Sequence, residues 1–96
     1  MISRDGARIL VSGSVTLQNV TSVTDEGLVH VREGASKVDL AGVSELDSSL
    51  LAALLVWVRE AGLKKNPLTV QNLPKGLQTL AELYGVEQLL PVGDCL

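Results

Sequence analysis

Three polar residues placed directly before a long apolar run offer the most chemistry in this sequence. The triplet Asp47-Ser48-Ser49 supplies one carboxylate and two hydroxyl groups, and the nine residues Leu50–Val58 that follow it are all apolar. If a helix begins at this junction, Asp47 can accept a hydrogen bond from one of the first backbone N–H groups, which lack partners inside the helix. The two hydroxyls are candidate phosphorylation sites, because the negative charge of a phosphate favours a helix N-terminus.

Other combinations of reactive side chains are scarce. The chain has one histidine, His30, and one cysteine, Cys95, which is too few for a zinc site with the usual His and Cys ligands. A Ser-His-Asp arrangement would require Ser48 or Ser49 to meet His30, and the strained Gly-x-Ser-x-Gly turn that often carries such a serine is absent. We therefore expect a non-catalytic protein without a metal or another cofactor, in which His30 is solvated or partly packed.

Composition and charge narrow the class of protein further. The 96 residues are 46% apolar and 20% charged, with a net charge of −3, as is usual for one small globular domain covering residues 1–96. Nucleic-acid binding is disfavoured because it depends on clustered Lys and Arg side chains, and because single strands also need aromatic residues to stack on. The glycine-rich motifs that bind phosphate groups, Gly-x-Gly-x-x-Gly and Gly-x-x-x-x-Gly-Lys-Ser/Thr, are both absent from the sequence.

Membrane insertion and secretion are also disfavoured. The longest apolar run has nine residues, whereas roughly 20 are needed to span a bilayer. The N-terminal residues lack the apolar segment of a signal peptide. We therefore expect a cytoplasmic protein.

The first half of the chain contains the elements that must precede the polar triplet. Arg8–Val11 and Val15–Gln18 have β-like patterns and are separated by Ser12-Gly13-Ser14, which predicts a hairpin or a tight bend. The apolar spacing from Thr21 to Glu33 predicts an amphipathic helix that ends at Gly34.

The polar triplet itself is predicted to lie between a strand and a helix. Lys37–Val43 alternates apolar with polar or small residues, as expected of a central strand before a helix. Asp47 is the predicted N-cap of a helix that continues to Arg59 or Ala61, with Gly62 as its stop.

A second strand and helix follow. Leu68–Gln71 is the predicted strand, and a helix is predicted to begin near Pro74 and to end at Gly85. Val86–Pro91 is expected to fold back onto the domain, and Gly93–Leu96 to fray. The chain thus begins with two strands that are expected to be antiparallel and continues with two strand–helix units. This order predicts an α/β fold, a mixed β-sheet with helices packed mainly on one face.

The helix after the triplet is apolar on all sides, whereas a helix that packs on a sheet needs only one apolar stripe. The stripe that we expect to lie on the sheet consists of Leu51, Leu54, Leu55 and Val58. The opposite side is expected to present Ala52, Val56 and Arg59, while Trp57 is expected to pack near Tyr84 in the last helix. Exposed apolar patches usually mark interaction sites. If neighbouring loops cover this side instead, no partner is needed. Separately, Asp47 and Ser48 can serve only to cap the helix.

The segment Val38–Leu50 (VDLAGVSELDSSL), with the apolar helix after it, resembles the signature of STAS domains, the modules of sulfate transporters and anti-sigma-factor antagonists. In that family the strand ends in Asp-Ser-Ser-Gly or Asp-Thr-Gly-Gly, and the next helix binds the partner. Within the family, the C-terminal part is similar to the small cytoplasmic STAS subunit of Mla-type phospholipid ABC transporters, through Leu68–Leu73, Leu80–Val86 and Leu89–Pro91. The resemblance spans nearly the whole chain and implies the STAS fold without enzymatic activity.

The resemblance implies two alternative functions. In the Mla-type subunit, the threonine after the aspartate helps to contact the transporter's ATPase, and Ser48 occupies the matching position. In anti-sigma-factor antagonists the second serine is phosphorylated by an anti-sigma factor kinase, and Ser49 occupies that position. Leu50 replaces the glycine of the family, a change expected to alter the local surface. The predicted partner-binding residues are Asp47, Ser48, Ser49, Leu50, Ala52, Val56 and Arg59.

Overall fold

The polar triplet lies where a strand passes into a helix, as the sequence predicted. The computed structural model describes residues 1–91. Its elements, in chain order, are β1 (Ile2–Asp5), β2 (Arg8–Val15), α1 (Val20–Arg32), β3 (Lys37–Leu46), α2 (Ser48–Leu63), β4 (Thr69–Gln71), α3 (Lys75–Leu83) and a 3₁₀ turn (Glu87–Leu89). Cys95 and the predicted fraying of Gly93–Leu96 lie outside the described residues.

The four strands form one mixed sheet in the order β1-β2-β3-β4. β1 pairs antiparallel with β2, whereas β2, β3 and β4 run parallel. The crossovers from β2 to β3 and from β3 to β4 move in the same direction across the sheet, so right-handed connections bring α1 and α2 to the same face. The predicted α/β fold, a mixed sheet with helices mainly on one face, is confirmed.

The predicted hairpin was placed at the wrong turn. β2 continues through Ser12-Gly13-Ser14, and the irregularity appears as shifts of its register against β3 and as a φ of +78° at Gly13. The hairpin instead joins β1 to β2 through Gly6 and Ala7, with Gly6 at a φ of +61°. A two-residue hairpin turn of this kind favours glycine at its first position, because that position has a positive φ. β2 continues through these polar residues because they stay paired with β3, and such bulges are a normal site for Gly in a strand.

The remaining elements lie close to their predicted positions, with two differences. β3 extends three residues past the predicted end at Val43, to Leu46. α2 passes through Gly62 and ends at Leu63, and the left-handed residue after it is Lys65, at a φ of +58°. An exposed glycine inside a helix costs only about 1 kcal/mol, so it does not force the helix to stop.

The core lies between the sheet and the helices, with Trp57 as its largest side chain. The indole is fully buried against α1, and its Nε1–H donates to the carbonyl oxygen of Thr24 at 3.0 Å. The prediction that Trp57 packs near Tyr84 is wrong, since the indole packs against α1, whereas Tyr84 directly follows α3, is 57% exposed and is not packed against the core. Periodicity within α2 could not indicate which neighbouring helix the indole meets.

The segment after α3 returns to the sheet, which confirms the prediction for Val86–Pro91. Leu90 is buried in the core, and the carbonyl of Pro91 accepts a hydrogen bond from the backbone N–H of Val70 at 2.9 Å. This bond occupies a donor on the outer edge of β4 and so makes that edge less available to other strands. None of the helices within residues 1–91 has the length and hydropathy needed to cross a bilayer.

Candidate partner-binding site

Asp47 joins two parts of the chain at the start of α2. Its extended backbone (φ −138°, ψ −168°) ends β3 and leads into the helix. One carboxylate oxygen, Oδ1, accepts the backbone N–H of Ser49 at 2.8 Å, as the predicted N-cap requires. The other, Oδ2, accepts the backbone N–H of Leu17 at 3.0 Å, in the loop between β2 and α1. One side chain therefore fixes both the first turn of α2 and the loop beside it.

The same two bonds have the largest effects on the pKa of this carboxylate. The N–H of Leu17, followed by the N–H and hydroxyl of Ser49, lowers the pKa of Asp47 below its ordinary value of 3.8, while partial burial opposes this effect. Hydrogen bonds donated to a carboxylate favour its charged form. Asp47 is therefore an anion at neutral pH and places a negative charge next to the two serines.

The loop beside Asp47 is held by hydrogen bonds of its own. Asn19 accepts the backbone N–H of Thr16 at 2.9 Å through Oδ1 and donates to the carbonyl of Ser14 at 2.8 Å through Nδ2. The hydroxyl of Ser14 donates to Glu45 at 2.9 Å, which links the end of β2, just before the loop, to the end of β3. This fixed loop presents Leu17 with 77% of its surface exposed.

Leu17 was missed as a candidate surface residue because the sequence placed it inside the predicted strand Val15–Gln18. An available signal was Asn19, since Asn side chains commonly bond to nearby backbone groups in turns. The bond to Asp47 joins residues 30 positions apart in sequence, so local patterns do not reveal it.

The two hydroxyl groups differ in accessibility. Ser48 is the first residue of α2 and is exposed, whereas Ser49 is half-buried and its backbone N–H is bound to Asp47. Both stand at the helix N-terminus, where added negative charge is favoured by the helix dipole. Ser48 is the more accessible of the two to another protein.

Leu50 does not belong to the surface. Its side chain is fully buried in the core, so the prediction that it contacts a partner is wrong, as is the expectation that it alters the local surface. The core-facing side of α2 is centred on Leu50, Leu54, Trp57 and Ala61, which recur at helical spacing. Compared with the predicted stripe, the helix is rotated so that Leu55 and Val58 are only partly buried.

The opposite side of α2 is exposed along its length. Ala52, Val56 and Arg59 are all exposed, and together with Ser48 they form one line at spacings of four, four and three residues. Val56 has 43% of its surface exposed. The structure thus places these predicted residues on a common surface, while their contact with a partner stays a prediction.

α1 contributes the second wall of this surface, which the sequence did not reveal. We call the depression between the helices the interhelix groove. Near the start of α2 it is lined by Val20, Thr21, Thr24, Asp25, Ala52, Ala53 and Val56. Further along, its lining residues are Leu28, Arg32, Val56, Arg59, Glu60 and Leu63. Val56 lines both parts, so the two parts adjoin at this side chain.

Among residues 1–91, the Ser, His and Asp side chains considered for catalysis do not all meet. His30 lies toward the C-terminal end of α1, where its Nδ1 is 3.1 Å from Nη1 of Arg4. The same Arg4 atom is 3.3 Å from a carboxylate oxygen of Glu33, so this imidazole is partly packed in a polar cluster. Ser48 lies at the opposite end of the helical pair and does not meet His30. Within residues 1–91, no group of three or more His, Cys, Asp or Glu side chains is arranged to hold a metal ion.

Comparison with protein families gives a match over almost the entire described chain. A family model described as "Mlab, STAS domain" matches residues 2–91. No curated protein matches significantly.

Solved structures share the same architecture at low sequence identity. The anti-sigma factor antagonist SpoIIAA in its unphosphorylated form aligns with a TM-score of 0.65 and 15% identity, covering 86% of this chain and 81% of that chain. A putative anti-sigma factor antagonist from Thermotoga maritima aligns with a TM-score of 0.76 and 10% identity, covering 100% and 86%. The phosphorylated form of the Bacillus cell fate determinant SpoIIAA aligns with a TM-score of 0.67 and 14% identity, covering 98% and 90%. These similarities concern the fold.

Proposed function

The chain belongs to the STAS domain family, and from this premise we propose that it is a single-domain, cytoplasmic, non-catalytic module that binds the ATPase of a Mla-type phospholipid ABC transporter. The observation that carries the proposal is the exposed line Ser48, Ala52, Val56 and Arg59 on α2, whose first turn Asp47 fixes. A partner that contacts this line meets a hydroxyl, then small apolar side chains, then a guanidinium group.

Two features favour a transporter ATPase as the partner. The matched family model carries the Mlab description, and the C-terminal part of the sequence is similar to the STAS subunit of Mla-type transporters. Ser48 stands at the position where that subunit has the threonine that helps to contact the ATPase. The exposure of Ser48 is compatible with the same role here.

The energetics suit an accessory subunit that acts by binding alone. Val56 is 43% exposed, and complete burial of a valine side chain stabilises a complex by about 1.5–3 kcal/mol, so covering the remaining part contributes roughly 1 kcal/mol. The small side chain of Ala52 allows close approach of the partner's backbone or side chains. Because Asp47 already orders the first turn of α2, little conformational entropy is lost when a partner docks there.

Recovery of the partner from the native cell tests this function. We expect affinity-tagged protein to recover the ATPase of a phospholipid transporter, and the variants Ser48→Arg and Ala52→Glu to lose it. Gln78→Glu adds the same negative charge as Ala52→Glu, but on the exposed side of α3. It is the matched control for Ala52→Glu and should retain the ATPase. Recovery of no ATPase, or equal recovery by all variants, would count against the proposal.

The alternative is an anti-sigma-factor antagonist that is switched by phosphorylation and binds an anti-sigma factor kinase. It is favoured by the structural neighbours, which include SpoIIAA in phosphorylated and unphosphorylated forms. A phosphate on Ser49 or Ser48 would add about −1.5 to −2 charges beside Asp47 and would release an acidic or apolar partner. Phosphate mass on the native protein that disappears with Ser49→Ala would support this alternative, and unmodified protein under all growth conditions would remove it.

A further inference from the structure

Lys and Arg are absent from two long segments of the chain, which supply most of the core and the N-terminal part of the interhelix groove. Residues 9–31 and residues 38–58 contain no Lys or Arg. They do contain acidic residues, among them Asp25 in α1, Glu45 near the end of β3 and Asp47 directly before α2. Arg32 and Arg59 follow directly after these segments, toward the C-terminal ends of α1 and α2. Because both helices follow parallel strands, their C-terminal ends lie at the same end of the domain.

The interhelix groove therefore changes sign along its length. Asp25 lines the part near the start of α2, and Arg32 and Arg59 line the other part. Arg32 is 3.4 Å from Glu60, whereas neither Asp25 nor Arg59 forms an ion pair within residues 1–91. One unneutralised charge of each sign is thus left, in opposite halves of the groove.

The floor between these charges is apolar and has the length of a short helix. Val56 is shared by both parts of the groove, and Leu63 is 73% exposed at its basic end. From Ala52 to Leu63 is a distance of roughly 17 Å at the α-helical rise, which equals about three turns of helix. A groove between two helices accepts the ridge of a third helix. It offers no free strand edge to which an extended peptide could hydrogen-bond.

We propose that the interhelix groove binds one amphipathic helix of a partner protein, and that the charges of the groove set the direction of that helix. The partner helix has apolar residues at positions i, i+3 or i+4, and i+7, and these residues contact the apolar floor of the groove between Val56 and Leu63. Its basic side chains face Asp25, and its acidic side chains face Arg59. This assignment rests on the proposed function for the existence of a protein partner, and it adds the secondary structure and charge order of the contacting segment.

Site-specific photocrosslinking identifies the contacting segment directly. A photoreactive amino acid is introduced at Thr21 in one variant and at Leu63 in another, because the two positions lie at opposite ends of the groove. With the partner recovered from the native cell, we expect both positions to crosslink to one continuous helical segment, at sites about seven to eleven residues apart. Lys or Arg should lie near the Thr21 crosslink, and Asp or Glu near the Leu63 crosslink. Crosslinks to separate segments, to another copy of this chain, or to no protein would overturn the inference.

Charge reversal tests the direction independently. Asp25→Lys and Arg59→Glu should each weaken binding of the crosslinked partner by about three- to tenfold at low salt, and by less at high salt. Glu82→Lys on the exposed side of α3 is the control and should leave the affinity unchanged. Equal affinities for all three variants would contradict the charge order.

The two proposals fail in different ways. If an ATPase is recovered through Ser48 and Ala52 but Thr21 and Leu63 do not crosslink to one helix, the function stands and the groove assignment fails. If one helix with this charge order is crosslinked in a protein that is not an ATPase, the groove assignment stands and the transporter function fails.

Discussion

Gly27 of α1 lies directly against the indole ring of Trp57 in α2. A Cβ atom built on Gly27 would overlap the ring carbons Cε2 and Cζ2. Next to this contact, the indole N–H donates to the carbonyl of Thr24 at 3.0 Å. The absence of a side chain at position 27 therefore sets how closely α1 approaches α2, and with it the shape of the interhelix groove.

The first prediction concerns this contact. Gly27→Ala should lower the free energy of unfolding by about 1–3 kcal/mol, because overpacking a buried site forces neighbouring groups to move. At about 4–8 °C per kcal/mol for a domain of this size, the melting temperature should fall by at least several degrees. Gly62→Ala in α2 is the matched control, since an added Cβ there meets no atom and alanine has the higher helix propensity. Equal melting temperatures for the two variants would show that the helices can separate without cost.

The second prediction concerns the two sides of α2. Leu50→Ala should destabilise the domain by about 2–5 kcal/mol, because it removes buried methyl groups and leaves a cavity. Val56→Ala should change stability by less than about 0.5 kcal/mol, as usual for a surface position, but should weaken binding of the partner. Urea unfolding followed by the fluorescence of Trp57 measures the first effect, and a binding titration measures the second. A Leu50→Ala variant of normal stability would place Leu50 on the surface after all.

The third prediction concerns the pH dependence of stability through Asp47. Its pKa is lowered in the folded protein, so its contribution is fully present above the unfolded value of about 3.9 and is lost as the pH falls through the lower folded pKa. Asp47→Asn keeps an acceptor for Ser49 but presents an NH₂ group toward the N–H of Leu17. We therefore expect the variant to melt at a lower temperature than the wild type at pH 7, with the difference shrinking below about pH 4.

The measurement for Asp47 is a pair of thermal melts at each pH between 7 and 2.5. A difference that stays constant over this range would contradict the hydrogen-bond explanation, because a neutral steric effect has no pH dependence. A larger difference at low pH would have the wrong sign.

Most helices and parallel strands could be predicted from the sequence, because each carries its own periodicity and end signals. Asp47 begins α2 as its type and position indicate, and Gly34 follows α1 with a positive φ. The hairpin could not be placed correctly, because Ser12-Gly13-Ser14 has the composition of a turn, yet its pairing with β3 keeps it within β2. Tertiary pairing overrides local propensity in such strands.

The candidate site was predictable only where its residues are neighbours in sequence. Ser48, Ala52 and Val56 share one helix face, so their spacing was sufficient to group them. Leu17 and the wall formed by α1 reach the site through contacts between residues about 30 positions apart, such as the bond from Leu17 to Asp47. Leu50 was misassigned because a run that is apolar all round does not indicate its own rotation relative to the core.

The central claim is that the exposed side of α2 binds a transporter ATPase, and a direct titration of the purified ATPase subunit with this protein tests it. The wild type and Gln78→Glu should bind with equal affinity, while Ala52→Glu should bind at least tenfold more weakly, because a charge would be buried without a partner in the interface. Equal binding by all three proteins, or no binding by the wild type, would contradict the account.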